Sequence, residues 1–207
     1  MWEPEEDEDY ENALTELNAR YAEWVADHEL DVEAEVPEVL LHYKWRYLDG
    51  HLTRWTRGDL SEIYLELYPA KVVAEPEDLD EILDRAATFF QFLSEVDLAD
   101  DASDPLDTLL SHLEHVAPRF RAAMTDVSRY SMGKRFTMAA LAEAVDLGDP
   151  GEVDAFMARF NARSRAEREL LMGPSVRRVP ASGSSGRVTA KGTPPRPSST
   201  KRRKRRR

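Results

Sequence analysis

The sequence contains no cysteine, which removes disulfides, thiol nucleophiles, iron–sulfur clusters and thiolate zinc sites together. Glycine is scarce, at nine in 207 residues. No GxGxxG, GxxxxGKS, GxxxxGKT, HExxH or GxSxG pattern occurs, so the common phosphate-loop, metalloprotease and hydrolase signatures are absent. No apolar run approaches the roughly 18–20 residues that span a bilayer, and the opening MWEPEEDEDYE has neither the positive charge nor the apolar stretch of a signal peptide. A cytoplasmic protein without membrane contact is the expectation. Arginine outnumbers lysine 22 to 6, a bias in keeping with a GC-rich bacterial genome.

Cations are missing from one region and acids from another. Residues 1–40 hold 15 acidic groups and a single basic one, Arg20. Residues 173–207 hold 12 basic groups and no acid. The net charge of −12 therefore conceals an acidic body, 40 carboxylates against 16 cations, and a tail of +12. A body of that sign argues against nucleic-acid binding over the whole surface. The tail is rich in Gly, Pro, Ser and Thr and nearly empty of large apolar residues, so it is expected to be disordered. The domain plan is an acidic disordered segment at 1–9, a helical domain at 10–172, and a disordered linker and tail at 173–207.

Between residues 10 and 172 the apolar spacing is helical almost throughout. Tyr10, Leu14, Leu17, Tyr21 and Trp24 form one stripe on an acidic helix. Pro37 opens a second helix that Gly50 ends as a left-handed cap. Thr56 and Asp59 have the spacing of a capping box and open a helix that stops before Pro69. Lys71 to Val73 is the best strand candidate, but three residues cannot build a sheet, so it is assigned as extended linker. After Pro76, Leu79, Ile82, Leu83, Ala86, Phe89, Phe90 and Leu93 give the cleanest amphipathic stripe. Asp104 and Pro105 form a cap and first turn for a helix that Pro118 breaks or kinks. Asp149, Pro150 and Glu152 supply the same signals for a last main helix. The fold class is all-α, a compact bundle of seven or eight short helices.

The stretch His42–Leu60, HYKWRYLDGHLTRWTRGDL, resembles an uncharacterised all-helical actinobacterial family with a YKWxYLDG pattern, a later Trp before a short acidic helix, and a PxKV element, here Pro69, Lys71 and Val72. The resemblance covers about residues 38–165. It implies a helical fold and no assigned activity. Some relatives end in basic tails or in a cysteine-containing zinc motif of the SEC-C type; this chain has the first and, without cysteine, lacks the second.

Within that stretch Tyr43, Trp45, Tyr47 and Trp55 alternate with Lys44, Arg46, Arg54 and Arg57, with Asp49 the only acid before Gly58. Aromatics beside arginines suit interfaces and base stacking, so Tyr43, Lys44, Trp45, Arg46, Arg54, Trp55 and Arg57 are candidate partner-binding residues. The plainer alternative puts Tyr43 and Tyr47 in the core, Trp45 over a neighbouring helix, and the cations against carboxylates. Lys44 and Arg46 lie about 200° apart on a helix, so they cannot form one phosphate clamp. His112 and His115 have the spacing of helical metal ligands, but no third ligand is identifiable. Ser128 and Ser131 lie near Arg129, Lys134 and Arg135 without an activating base. No catalytic residue, metal site or cofactor is assigned, and the chain is read as non-enzymatic.

The strongest functional signal is Lys201, Arg202, Arg203, Lys204, Arg205, Arg206 and Arg207, seven consecutive cations. Such a run binds phosphates by counterion release, independent of sequence and sensitive to salt. The leading expectation is an adaptor tethered to DNA or RNA by this run, with a protein partner at residues 42–58. The runner-up is a protein-interaction module without a nucleic-acid role, and a metal-dependent enzyme is the third. Glu3, Glu5, Glu6, Asp7, Glu8, Asp9 and Glu11 match the seven cations in number. A 28-residue linker reaches about 30 Å and the body has a radius near 15 Å, so the acidic segment is also expected to compete for the run.

Overall fold

The computed structural model describes residues 2–172; Met1 and residues 173–207 lie outside it, and with them the expected linker and tail. The described chain is all helical, without a strand. Its elements are α1 (Asp7–Asp27), α2 (Glu38–Tyr47), α3 (Arg57–Glu62), a π-helical turn (Ile63–Leu67), α4 (Tyr68–Lys71), a 3-10 turn (Pro76–Asp78), α5 (Leu79–Glu95), α6 (Leu106–Thr125), a 3-10 turn (Val127–Arg129), α7 (Met132–Ala142), α8 (Pro150–Ala162) and α9 (Arg165–Met172). With α3, the π turn and α4 taken as one continuous segment, eight helical segments form the bundle.

Helix α5 organises the main core, as its apolar stripe requires. Phe89 and Phe92 are fully buried, and Tyr21 of α1 meets their rings edge-on, with centroids 6.3 and 5.3 Å away. Trp55 tilts against Phe90 at 5.2 Å. On the other side Phe120 of α6 meets Tyr64 and Tyr68 at 5.2 and 5.8 Å. Each such ring removes enough apolar surface from water to contribute about 1.5–3 kcal/mol. A second, separate cluster joins α7 and α8 through Phe136, Phe156 and Phe160.

Local signals behave as their chemistry dictates at several ends. Thr56 and Asp59 form the complete capping box of α3. Gly50 sits at φ +81° past the end of α2, and its N–H returns to the Lys44 carbonyl at 3.1 Å. Asp149 and Ser131 cap α8 and α7.

Four expectations need correction. The helix opened at Thr56 does not stop before Pro69 but runs on through the π turn to Lys71. In an α-helix the Leu65 carbonyl would pair with the N–H of residue 69, which proline lacks; Arg129 Nη1 donates to it at 2.8 Å instead. Pro118 does not break its helix either: α6 runs unbroken through it, with the proline on the exposed face between the buried anchors Val116 and Phe120. Asp104 caps α3 rather than its own helix, its carboxylate accepting the Arg57 N–H at 2.8 Å. Residues 2–9 are not a free acidic segment: Pro4 is buried, the Trp2 carbonyl accepts the Leu52 N–H at 2.9 Å, and α1 already begins at Asp7. Aromatic burial of Trp2 and Trp45 holds this stretch despite its charge.

Beyond the main core, α7 docks on the end of α4 through main-chain carbonyls. Ser131 N–H donates to the Ala70 carbonyl at 2.8 Å, and Lys134 Nζ to the Pro69 carbonyl at 3.0 Å. Cations at the carbonyl end of a helix complement its dipole.

Candidate functional site

The aromatic and basic corner is built on α2 and the loop to α3. Lys44 has no exposed surface, and its Nζ lies 2.8 Å from both Asp49 Oδ1 and Asp59 Oδ2. It also stands 5.2 Å over the Trp55 ring. Two carboxylates and an aromatic face offset the desolvation of a buried ammonium, which one partner alone would not do. The same Asp59 Oδ2 accepts the Thr56 N–H at 2.8 Å, so the charge pair and the helix cap share an atom.

Asp49 is the hub on the solvent side. It accepts from Lys44, from Arg54 Nη2 at 2.9 Å and from the His51 N–H at 3.1 Å. Burial works to raise its carboxyl, and these bonds outweigh burial, holding it below the ordinary carboxylate range. Asp104 is likewise held low, chiefly by the Arg57 N–H and then by the Arg57 guanidinium at 3.3 Å.

Tyr43, Lys44 and Trp55 therefore face the interior, contrary to their assignment as partner-binding residues. Trp55 is 1% exposed, with its indole N–H on the Leu52 carbonyl at 2.9 Å. Tyr43 packs edge-on against Tyr68 at 5.5 Å, and burial pushes its hydroxyl up to about 12. The half-turn between Lys44 and Arg46 puts the second outside, where it lies 4.1 Å over the Trp45 ring and 3.0 Å from Asp7. Trp45 in turn stacks on Tyr10 at 4.2 Å and 6° and donates to the Pro4 carbonyl at 3.1 Å. Trp45, Arg46, Arg54 and Arg57 remain at the periphery. Chemically the corner neutralises its own charges: each of its four cations has a carboxylate partner.

The histidine pair sits on α6, with His112 turned to a serine. His112 Nε2 lies 2.8 Å from Ser61 Oγ, the His115 ring is 6.2 Å away, and no group of three or more ligating side chains exists among the described residues. The His112 imidazole is held below its usual value by burial first, then by the charges of His115, Arg57 and Arg119. The Ser61–His112 contact joins residues 51 apart, which sequence spacing could not reveal. Ser128 and Ser131 serve as turn and cap residues, Ser128 donating to Asp126 Oδ1 at 2.6 Å. The cationic run Lys201, Arg202, Arg203, Lys204, Arg205, Arg206 and Arg207 lies outside the described residues. No helix among the described residues is long and apolar enough to cross a membrane. No family model, curated protein or solved structure matches the chain.

Proposed function

We propose that the protein is a non-enzymatic binding module that its C-terminal run, Lys201–Arg207, tethers to nucleic acid. The observation that supports this reading is the separation of charge. The corner that could have offered cations from the body pairs every one of them with a carboxylate, while the last 35 residues carry 12 cations and no acid. Phosphate contact then falls to the run, and the acidic body opposes close approach of a polyanion.

The test is binding of labelled duplex DNA and of single-stranded RNA across a salt series. It compares the full chain with a full-length variant whose seven terminal cations are all serine. The expected result is a log–log salt slope of about −6 for duplex if all seven cations contact phosphate, lost in the variant. Equal binding by both chains overturns the tether. A second reading, a protein-interaction module without a nucleic-acid role, draws on the outward stack of Arg46 on Trp45. Under it, Arg46→Glu weakens capture of a protein partner and leaves polyanion binding unchanged.

A further inference from the structure

Of the strand candidate Lys71 to Val73, Lys71 closes α4, and Val72 and Val73 follow it without a sheet. Val72 is extended, at φ −90° and ψ 133°, and Glu75 likewise at φ −74° and ψ 152°. The Val72 N–H closes α4 on the Tyr68 carbonyl at 2.9 Å. Among the described residues, the N–H groups of Val73 and Ala74 and the carbonyls of Lys71 through Ala74 have no hydrogen-bond partner. Backbone polar groups are obligate bonders, and the open ones at Val73 and Ala74 lie between two extended residues, Val72 and Glu75, where a second extended segment can bond to them.

This edge lines a groove of about 550 Å³ between the start of α2 and the start of α5, within the size range of ligand sites. Its apolar surface comes from Val36, Tyr68, Val72 and Ile82. Glu35, Glu38, Asp78 and Glu81 stand around it against one cation, Arg85, which is already paired with Glu33. The lining carries a net charge of −3, which selects the occupant by sign. Phosphate and acidic peptides are repelled, and a cationic strand is attracted.

We propose that this groove receives an extended, basic segment of a partner protein, which adds as a strand along Val72–Ala74 with alternate side chains apolar and cationic. Strand addition supplies affinity through main-chain bonds and selectivity through every second side chain. The proposal is independent of the terminal run, since the groove lies wholly within the described residues.

The probe is a fluorescein-labelled nine-residue peptide that alternates arginine with valine, titrated by anisotropy into the full chain at 0.15 M salt. Three comparisons accompany it: the same peptide with alternate backbone nitrogens methylated, a glutamate-for-arginine peptide, and the E38K/E81K chain. Both substituted residues are exposed, so the fold is not at stake. Saturable binding is expected, weakened at least tenfold by N-methylation and by E38K/E81K, and absent for the glutamate peptide. The chain with seven terminal serines binds the probe as the parent does, which separates this result from the tether. Equal affinity of the methylated peptide overturns strand addition, and equal affinity of E38K/E81K overturns the site.

Discussion

The helices from α1 to α6 and those from α7 to α9 use the same amphipathic vocabulary and bury it to different degrees. In the first group, rings from α1, α2, the π turn, α4, α5 and α6 meet in one cluster that also takes in Trp55, beside the buried Lys44 pair. In the second, Phe156 is fully buried, but Met132, Met138, Leu141, Leu147 and Met157 are exposed and Leu170 is 85% exposed. Bonds that join the two groups include those from Arg129, Ser131 and Lys134 to the carbonyls of Leu65, Ala70 and Pro69, and from the Tyr130 hydroxyl to the Met124 carbonyl. Apolar burial holds the first group, and polar bonds to main-chain carbonyls hold the second to it. The lesson is that local opening of α7–α9 should require less free energy than global unfolding.

The sharpest way to break this comparison is to truncate one ring in each group. Phe120→Ala should cost about 3–5 kcal/mol and lower the denaturation midpoint seen by every probe. Phe156→Ala should accelerate amide exchange within residues 132–162 at least tenfold and leave α5 amides protected. A single shared transition for both variants would show that the chain unfolds as one unit.

Next in size is the carbonyl bond made where proline has no N–H. Arg129→Ala should cost about 1–3 kcal/mol, because the Leu65 carbonyl loses its donor. The loss should shrink in a Pro69→Ala background, where residue 69 has an N–H to give; a double-mutant cycle by urea unfolding measures it. Additive effects would remove Pro69 from the explanation.

A smaller effect is pH-dependent. Burial lowers the Lys134 ammonium to about 8, against an ordinary value of 10.5. Between those values the unfolded chain holds a proton that the folded chain has shed, so the contribution of this residue to stability rises from pH 8 to 10.5 and is lost as pH falls through 8. Burial raises the buried tyrosines Tyr43 and Tyr64, so their contribution is present below pH 10 and lost above it. The difference between the parent and Lys134→Met, taken at pH 7.5, 9 and 10, isolates the lysine, and a flat difference would refute the assignment.

Smallest is a helix end. Ala144 follows α7 at φ +55°, with the Val145 N–H on the Ala140 carbonyl at 3.1 Å, a left-handed closure that favours glycine. Ala144→Gly should stabilise α7 by about 1 kcal/mol, read as slower exchange in that helix alone.

What the sequence disclosed was short in range. The α5 stripe, the Thr56–Asp59 box and the Gly50 turn each act within a few residues, so spacing sufficed. Pro69 and Asp104 misled because the groups that decide their roles lie far along the chain: Arg129 is 64 residues from the Leu65 carbonyl it serves in place of a residue-69 N–H, and Arg57 is 47 from Asp104. The site was half legible. A cation-rich stretch reads as surface by composition, yet Lys44 lies between two carboxylates that only the fold brings to one point. Leu141 fits the apolar period of α7 and still faces outward, because the small cluster has no neighbour to cover that side.

The π turn at Ile63–Leu67 also sets the phase of everything after it. One wider turn holds an extra residue, equivalent to about 100° of rotation, and it lies directly before Tyr68, whose ring stacks on Tyr64 with centroids 5.3 Å apart. Deleting one residue from this turn would restore an ordinary helix and swing Tyr68, Pro69 and the carbonyls that hold α7 about a quarter-turn out of alignment. A length change of a single residue here is therefore a change of direction for α7–α9, about the last quarter of the described chain.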